Sequence, residues 1–221
     1  MYLFLKRIMD IIISLSALLL LLPLIIPIML IQKLTAEHKI FYLQDRIGYK
    51  NQKFQILKFA TMLENSPNMG SGTITLRNDP RITPLGKFLR RSKINELPQI
   101  INVLKGEMSL VGPRPVDMSA FEKYTPDVQD VIYNVKPGIT GIGSIVFRDE
   151  EGLISASGEE PHLFMQRVIS PYKGALELWY QKNASLRTDV TIMFLTAWVI
   201  VRPKSQMFKR VFTDLPEPSG V

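Results

Sequence analysis

The chain contains no cysteine and only two histidines, His38 and His162. Disulfides, thiolate nucleophiles, cysteine-ligated zinc and a three-histidine metal site are therefore excluded, so a bound metal would rest mainly on oxygen ligands. Acidic residues are outnumbered, with 20 Asp and Glu against 27 Lys and Arg and a formal charge of +7 over 221 residues. That excess favours an anionic partner: nucleic acid, a phosphorylated metabolite or acidic lipid. At 46% hydrophobic and 21% charged residues, the chain is too apolar for disorder and long enough for one domain with an appendage.

The appendage is N-terminal. Ile8 to Ile31 is polar only at Asp10, Ser14 and Ser16 and is flanked by Lys6-Arg7 and by Lys33 and Lys39. Its length, and the lack of a small-x-small cleavage site after it, argue against a secretory signal. Its 24 positions would make about 36 Å of straight helix, against a hydrocarbon core of about 30 Å. Pro23 and Pro27 each remove a backbone donor and crowd the preceding turn, which predicts a kink or break near Leu22. Basic residues on both flanks place both ends on the cytoplasmic side. The expectation is therefore a re-entrant hairpin over residues 1–37 that anchors the chain without crossing, with a kinked span as the alternative.

Residues 38–221 read as a cytoplasmic domain lying against that membrane. The predicted fold is α+β, mostly helical with a small sheet. Strands are expected at Phe41 to Gln44 and Phe54 to Lys58 around a turn at Gly48 to Asn51, and a loop at Asn65 to Pro84. Helices are expected at Leu85 to Lys93, Glu96 to Lys105, Ser119 to Tyr133 and Glu160 to Lys182. Val190 to Val201 holds ten apolar residues in twelve, with Trp198 near one end and Arg202 and Lys204 beyond. It fits an amphipathic helix near 186–202 lying in the membrane interface, or equally a core helix that ends at Pro203.

The densest basic stretch, Arg77 to Arg114, sets eight cations against three acids. It has no recognition-helix or aromatic-interleaved pattern, and a membrane anchor is odd company for nucleic acid, so no nucleic-acid partner is expected. A phosphate-rich substrate brought to the membrane surface explains both features, whereas a solvated face against acidic headgroups explains the charge alone.

Specific motifs follow in order: Arg46-Ile47-Gly48, Lys58-Phe59, Asp79-Pro80-Arg81-Ile82-Thr83, Gly86-Lys87-Phe88-Leu89-Arg90, Glu96-Leu97-Pro98-Gln99, Asn102-Val103-Leu104-Lys105-Gly106, Met108-Ser109-Leu110-Val111-Gly112-Pro113-Arg114-Pro115 and Lys136-Pro137-Gly138-Ile139-Thr140-Gly141. This pattern resembles the bacterial sugar transferase family, the small monotopic phosphoglycosyl transferases. The resemblance runs from about Phe4 to Arg202 and is weakest from Ser144 to Tyr180. It implies transfer of a sugar-1-phosphate from a nucleotide diphosphate sugar to polyprenyl phosphate, at the cytoplasmic face of the bacterial inner membrane, with magnesium as cofactor. It also implies a proline-broken re-entrant membrane helix. Lys58, Arg81 and Arg114 match phosphate-binding positions, Pro113 and Pro115 shape the pocket, and Glu96 is the metal ligand. A homo-oligomer or a glycan-assembly partner is compatible with this reading.

Two positions depart from the family's pattern. The usual Asp-Glu reads Asn95-Glu96, and Lys58-Phe59-Ala60-Thr61-Met62 lacks an arginine. An amide is a very poor nucleophile and brings no charge to magnesium. Asn95 also reads as an N-cap with Pro98 in the first turn, and Glu96 reads as metal ligand, substitute nucleophile or capping carboxylate. Three readings stay open: a transferase working without the aspartate, a catalytically silent member that binds nucleotide sugar or polyprenyl phosphate for a partner, and a related membrane enzyme with another phosphorylated substrate.

Overall fold

The computed structural model describes residues 1–35, 37–69, 75–76, 78–203 and 205–217. Arg77 and Lys204, both singled out above, lie outside the described residues. The chain is mostly helical with little sheet, as its periodicity predicts.

Helix α1 spans Tyr2–Leu34. Its polar residues Lys6, Asp10 and Ser14 are spaced four apart, which aligns them on one face, and all three are buried against the rest of the chain. The apolar residues point outward, Leu19 being 68% and Leu20 80% exposed. This helix is thus inside out for a water-soluble protein, and by length and composition it can cross a membrane. The expected break near Leu22 is not seen: the helix continues through Pro23 and Pro27. A proline removes only its own donor, so the ladder on either side holds the helical path.

Both ends of α1 touch the same body. Near its start, Arg7 donates to the carbonyls of Val103 at 2.6 Å and Leu104 at 2.8 Å. Near its end, Ile25, Ile28 and Met29 pack on Phe59 and Leu89, and Gln32 donates to the Ala60 carbonyl at 2.6 Å.

Strands β1 (Phe41–Ile47) and β2 (Lys53–Phe59) form an antiparallel hairpin pairing Phe41 with Phe59 and Ile47 with Lys53. Its turn places Lys50 and Asn51 at positive φ. Asn102 covers the free edge of β2: its amide donates to Gln55 O at 2.7 Å and accepts from Leu57 N at 3.0 Å. One side chain thus imitates a neighbouring strand, which explains that asparagine in its motif and fixes the backbone beside Lys58.

Helix α2 (Pro84–Arg91) is capped by Thr83, whose hydroxyl accepts from Gly86 N at 3.0 Å. The helix expected over Glu96 to Lys105 is instead a 3₁₀ segment, Ile94–Gln99, followed by α3 (Ile100–Lys105), which ends at Gly106 with φ 84°. Strand β3 (Ser109–Val111) follows. The single helix expected over Ser119 to Tyr133 is two, α4 (Met118–Phe121) and α5 (Pro126–Val131), because Pro126 ends one path and starts the next. Strand β4 (Gly138–Thr140) pairs in parallel with β3, a contact invisible in three-residue segments. Gly112 and Gly138 allow it, since a Cβ on Gly138 would meet Gly112 N at 2.2 Å. The Val-Gly-Pro and Pro-Gly motifs are therefore the two sides of one close backbone approach.

The rest is helical: α6 (Ile142–Val146), α7 (Glu150–Ser157), α8 (Pro161–Phe164), a π-helical turn at Met165–Ile169, α9 (Ser170–Asn183), α10 (Leu186–Val201) and α11 (Met207–Val211). The largest core joins Val111, Ile142 and Ile145 to Leu176 and Tyr180 of α9 and to Ile192, Leu195 and Val199 of α10. So α10 is a core helix along one face, while Phe194 and Val201 on the other are 58% and 76% exposed.

A buried polar knot fastens α1 to this core. The Lys6 ammonium lies 2.7 Å from Asp189, donates to Val111 O at 2.9 Å, and is 8% exposed against 0% for its partner. Tyr180 and Tyr2 hydroxyls donate to the same carboxylate at 2.7 and 2.9 Å. Asp10 accepts from the Ser109 hydroxyl and the Leu110 N–H of β3. Removing one partner would strand a buried charge, so Lys6→Ala should lower unfolding stability in detergent by about 3 kcal/mol. Lys6→Met with Asp189→Asn should recover most of that loss in the same denaturation measurement.

Candidate active site

Three elements meet around Glu96. Lys58 comes from the end of β2, Glu96 from the 3₁₀ segment, and Arg114 from the loop after β3. Arg114 grips Glu96 with both guanidinium nitrogens, at 3.2 Å to Oε2 and 2.5 Å to Oε1. The Lys58 ammonium lies 3.7 Å from Oε1. Lys58 and Glu96 are 15% and 14% exposed at the side chain, whereas Arg114 reaches solvent at 35%. These residues, remote in sequence, form one cluster.

The cluster is rich in cations. Burial pulls the Lys58 ammonium down to about 7; Glu96 opposes this, while Arg46, Arg114 and Arg90 add to it. Burial alone would raise the Glu96 carboxyl, but Arg114 and Lys58 outweigh it and hold the group well below the usual carboxylate range. Lys93, at positive φ just before the 3₁₀ segment, faces Glu96 as well. Glu96 holds Arg114 firmly protonated. One buried carboxylate thus faces several positive groups, an arrangement that favours the arrival of further anions.

Pro113 and Pro115 are buried on either side of Arg114. The Pro113 carbonyl accepts from Gly138 N at 2.8 Å. The Tyr133 hydroxyl accepts from Val116 N at 3.1 Å and donates to Arg114 O at 2.8 Å. The loop is therefore fixed before any ligand arrives, which lowers the cost of positioning a planar fork on a phosphate.

Asn95 is not an N-cap. It lies inside the 3₁₀ segment, Lys93 occupies the capping position, and no side-chain cap bond is made. The reason is the left-handed turn at Lys93, which starts the helix two residues earlier than the asparagine pattern suggests. Asn95 is 6% exposed, and its Oδ1 has no hydrogen-bond partner among the described residues.

Arg81 is placed elsewhere. Its guanidinium is bidentate on Asp79, at 2.8 and 2.5 Å, and donates to the Ser66 and Met69 carbonyls at 2.8 Å each. At 3% exposure it pins a loop. Residues given no site role from sequence also border the site: Arg46, held by Asp117 at 3.2 Å; Arg90, paired with Glu151; and Glu150, paired with Lys173 at 2.6 Å. Arg46 and Arg90 stand in recognisable motifs, whereas Glu150 and Glu151 look like any acidic helix start.

The bacterial sugar transferase family profile matches residues 1–203. The chain belongs to this family. It is 35% identical over 213 residues to a UDP-galactose-lipid carrier transferase of Erwinia amylovora, covering 90% of this chain and 41% of that protein. It is 36% identical over 214 residues to an undecaprenyl-phosphate galactose phosphotransferase of Salmonella typhimurium, again 90% and 41%. It is 35% identical over 206 residues to the exopolysaccharide production protein ExoY of Rhizobium meliloti, covering 86% of this chain and 83% of that one. The chain thus spans less than half the length of the first two relatives.

The Arg81 pin makes a pH-dependent prediction. Hydrogen bonds from Arg81 hold the Asp79 carboxyl down at about 2, outweighing the opposing effect of burial. A depressed carboxyl stabilises the fold above its ordinary value near 3.9 and loses that contribution as pH falls through about 2. Asp79→Asn should cost about 2 kcal/mol at neutral pH. Acid titration of both unfolding curves should show the gap closing below pH 4.

Proposed function

We propose that this chain transfers a sugar-1-phosphate from a nucleotide diphosphate sugar to polyprenyl phosphate, the first step in building a glycan or exopolysaccharide. The observation that carries this reading is the Lys58–Glu96–Arg114 cluster behind a pre-fixed Pro-Arg-Pro loop. It is supported by the relatives' names, which specify UDP-linked sugars and undecaprenyl phosphate. Arg114 and Lys58 bind the diphosphate oxygens and offset the charge that repels an anionic attacker. Pro113 and Pro115 shape the pocket, and Arg81 holds the loop that carries Asp79.

The residues also fit a magnesium ion. Such an ion commonly uses one or two protein oxygens plus substrate phosphates, and the Glu96 carboxylate is an oxygen donor of that kind. When bound, magnesium would supply Lewis-acid neutralisation of phosphate oxygens. Glu96 would serve as its ligand, and it also anchors Arg114. Gripped by two cations and held far below its usual range, it is a weak nucleophile. Asn95 offers no carboxylate. The reading we favour is therefore direct attack: an oxygen of the lipid phosphate bonds to the sugar-linked phosphorus, the bond to the other phosphate breaks, and nucleoside monophosphate leaves with that bond's electron pair. The silent-member alternative draws on the same neutral Asn95.

The membrane arrangement follows from α1. A straight helix from Lys6 to Gln32 would rise about 39 Å, yet both ends rest on one domain while Leu15 to Ile26 is largely bare. This supports a monotopic anchor that enters and leaves on the cytoplasmic face, with the exposed face of α10 and Trp198 at the headgroups.

Two experiments test these readings. Purified protein incubated with UDP-sugars, undecaprenyl phosphate and magnesium should release UMP, with no phosphosugar adduct on the intact mass. Arg114→Ala and Lys58→Ala should each weaken nucleotide-sugar binding about tenfold to a hundredfold. Silence across a broad panel of sugars favours the binding-partner reading, and Asn95→Asp that then turns over identifies the missing carboxylate as the cause. For topology, cysteines placed at Tyr2 and Lys39 should label only from the cytoplasmic side, and labelling from opposite sides would show a span.

A further inference from the structure

The last turn of α10 and the short helix α11 face each other across a cleft of about 750 Å³, lined by Trp198, Arg202, Pro203, Gln206, Met207 and Arg210. Both walls are fixed by packing. On one side Leu195 and Val199 sink α10 into the main core, and the Trp198 indole N–H donates to the Ser205 hydroxyl at 2.9 Å, tying the connecting segment to the helix. On the other, Phe208 of α11 is buried in the same core. Phe212 packs edge-on against Trp179 at 4.9 Å, and the Trp179 indole donates to Asp214 at 2.9 Å. The segment after α10 is therefore a docked element, and the cleft exists before any ligand arrives. The family profile ends at residue 203, so the α11 wall lies beyond the family match.

The cleft carries positive charge without a counter-charge. Arg202 and Arg210 reach it from different elements, and neither guanidinium has a carboxylate partner among the described residues. Asp214, the acid nearest to Arg210 in sequence, is taken by Trp179. The Arg202 guanidinium lies over the Trp198 ring instead, 5.3 Å from its centroid, which holds it at the cleft. Trp198 in turn stacks with Phe194 at 6.4 Å. Val190, Phe194, Ala197 and Val201 recur at the spacing of one helix face, and all four are exposed. An apolar strip about 16 Å long thus leads along α10 to the two arginines. Unpaired arginines favour an anion, and the strip that ends at them favours one with a hydrocarbon tail. A free anion would leave the strip bare.

We propose that this cleft binds the phosphodiester headgroup of an anionic bilayer phospholipid, with the acyl chains lying along the strip from Val190 to Val201. The bound lipid fixes how the domain sits on the membrane surface. None of the cleft residues belongs to the cluster around Glu96, so this is a site apart from the one that handles the transferred phosphate. It rests on the membrane reading of α1 and α10 given above.

The test uses the full chain purified in a neutral detergent. Of its two tryptophans, only Trp198 lines the cleft. Brominated phosphatidylglycerol, which quenches an indole on contact, should therefore quench wild type saturably and leave Trp198→Phe unaffected. Arg202→Ala and Arg210→Ala should each weaken that binding about fivefold, the worth of one basic residue at an anionic surface. Arg187→Ala, at the far end of the same helix, should not change it. Equal losses in all three variants reveal diffuse surface attraction, and equal quenching by brominated phosphatidylcholine reveals simple partition; either overturns the proposal. Competition by glycerol 3-phosphate, which has no chains, shows a free-phosphate site and overturns it as well. Tighter binding of undecaprenyl phosphate than of phosphatidylglycerol reassigns the cleft to the substrate lipid. Flotation with pure phosphatidylcholine vesicles reads the anchor separately and should persist when both arginines are replaced. Wild-type protein that fails to float defeats the membrane reading itself, and the quenching in detergent then decides the cleft.

Discussion

An ammonium and a carboxylate taken out of water must be paired closely or the fold does not hold, and Lys6 with Asp189 is that pair here. Lys6 belongs to the long apolar helix α1, Asp189 to a core helix near the other end of the chain, and the carbonyl between them, Val111 O, to β3. The loop that presents Arg114 begins at the next residue. Asp10 adds a second tie from α1 to the same strand. Helix α1 and the candidate site are therefore joined through β3. A helix whose apolar residues face outward keeps its polar stripe for the strand that carries the site loop.

The site itself is organised by an imbalance of charge. Glu96 satisfies Arg114 directly and Lys58 at longer range, Asp117 takes Arg46, Glu151 takes Arg90, and Lys93 also faces Glu96. Burial makes that imbalance matter, because buried charges are poorly screened. Such a cluster favours an anionic ligand.

Much of the site was legible in single residues with narrow chemistry. Arg114 between two prolines, Lys58 at a strand end and Glu96 within a basic stretch are unusual combinations, and the fold brings all three within bonding range or close to it. Arg81 looked equivalent to them by charge and motif. In the fold, Asp79, two residues away, takes its guanidinium. Asn95 looked like a cap because Asn before a proline-containing turn often is one. The left-handed Lys93 started the helix earlier and sent the amide inward.

Composition and order by themselves determined the long apolar helix, the β1–β2 hairpin, the mostly helical class and the family, because apolar length, two-residue alternation and motif spacing are local properties. The β3–β4 pairing and the knot of Lys6 with Asp189 were decided only in three dimensions. Each is a contact between segments that carry no mark of one another in sequence. Its free energy depends on burial, and burial exists only once the chain has closed around it.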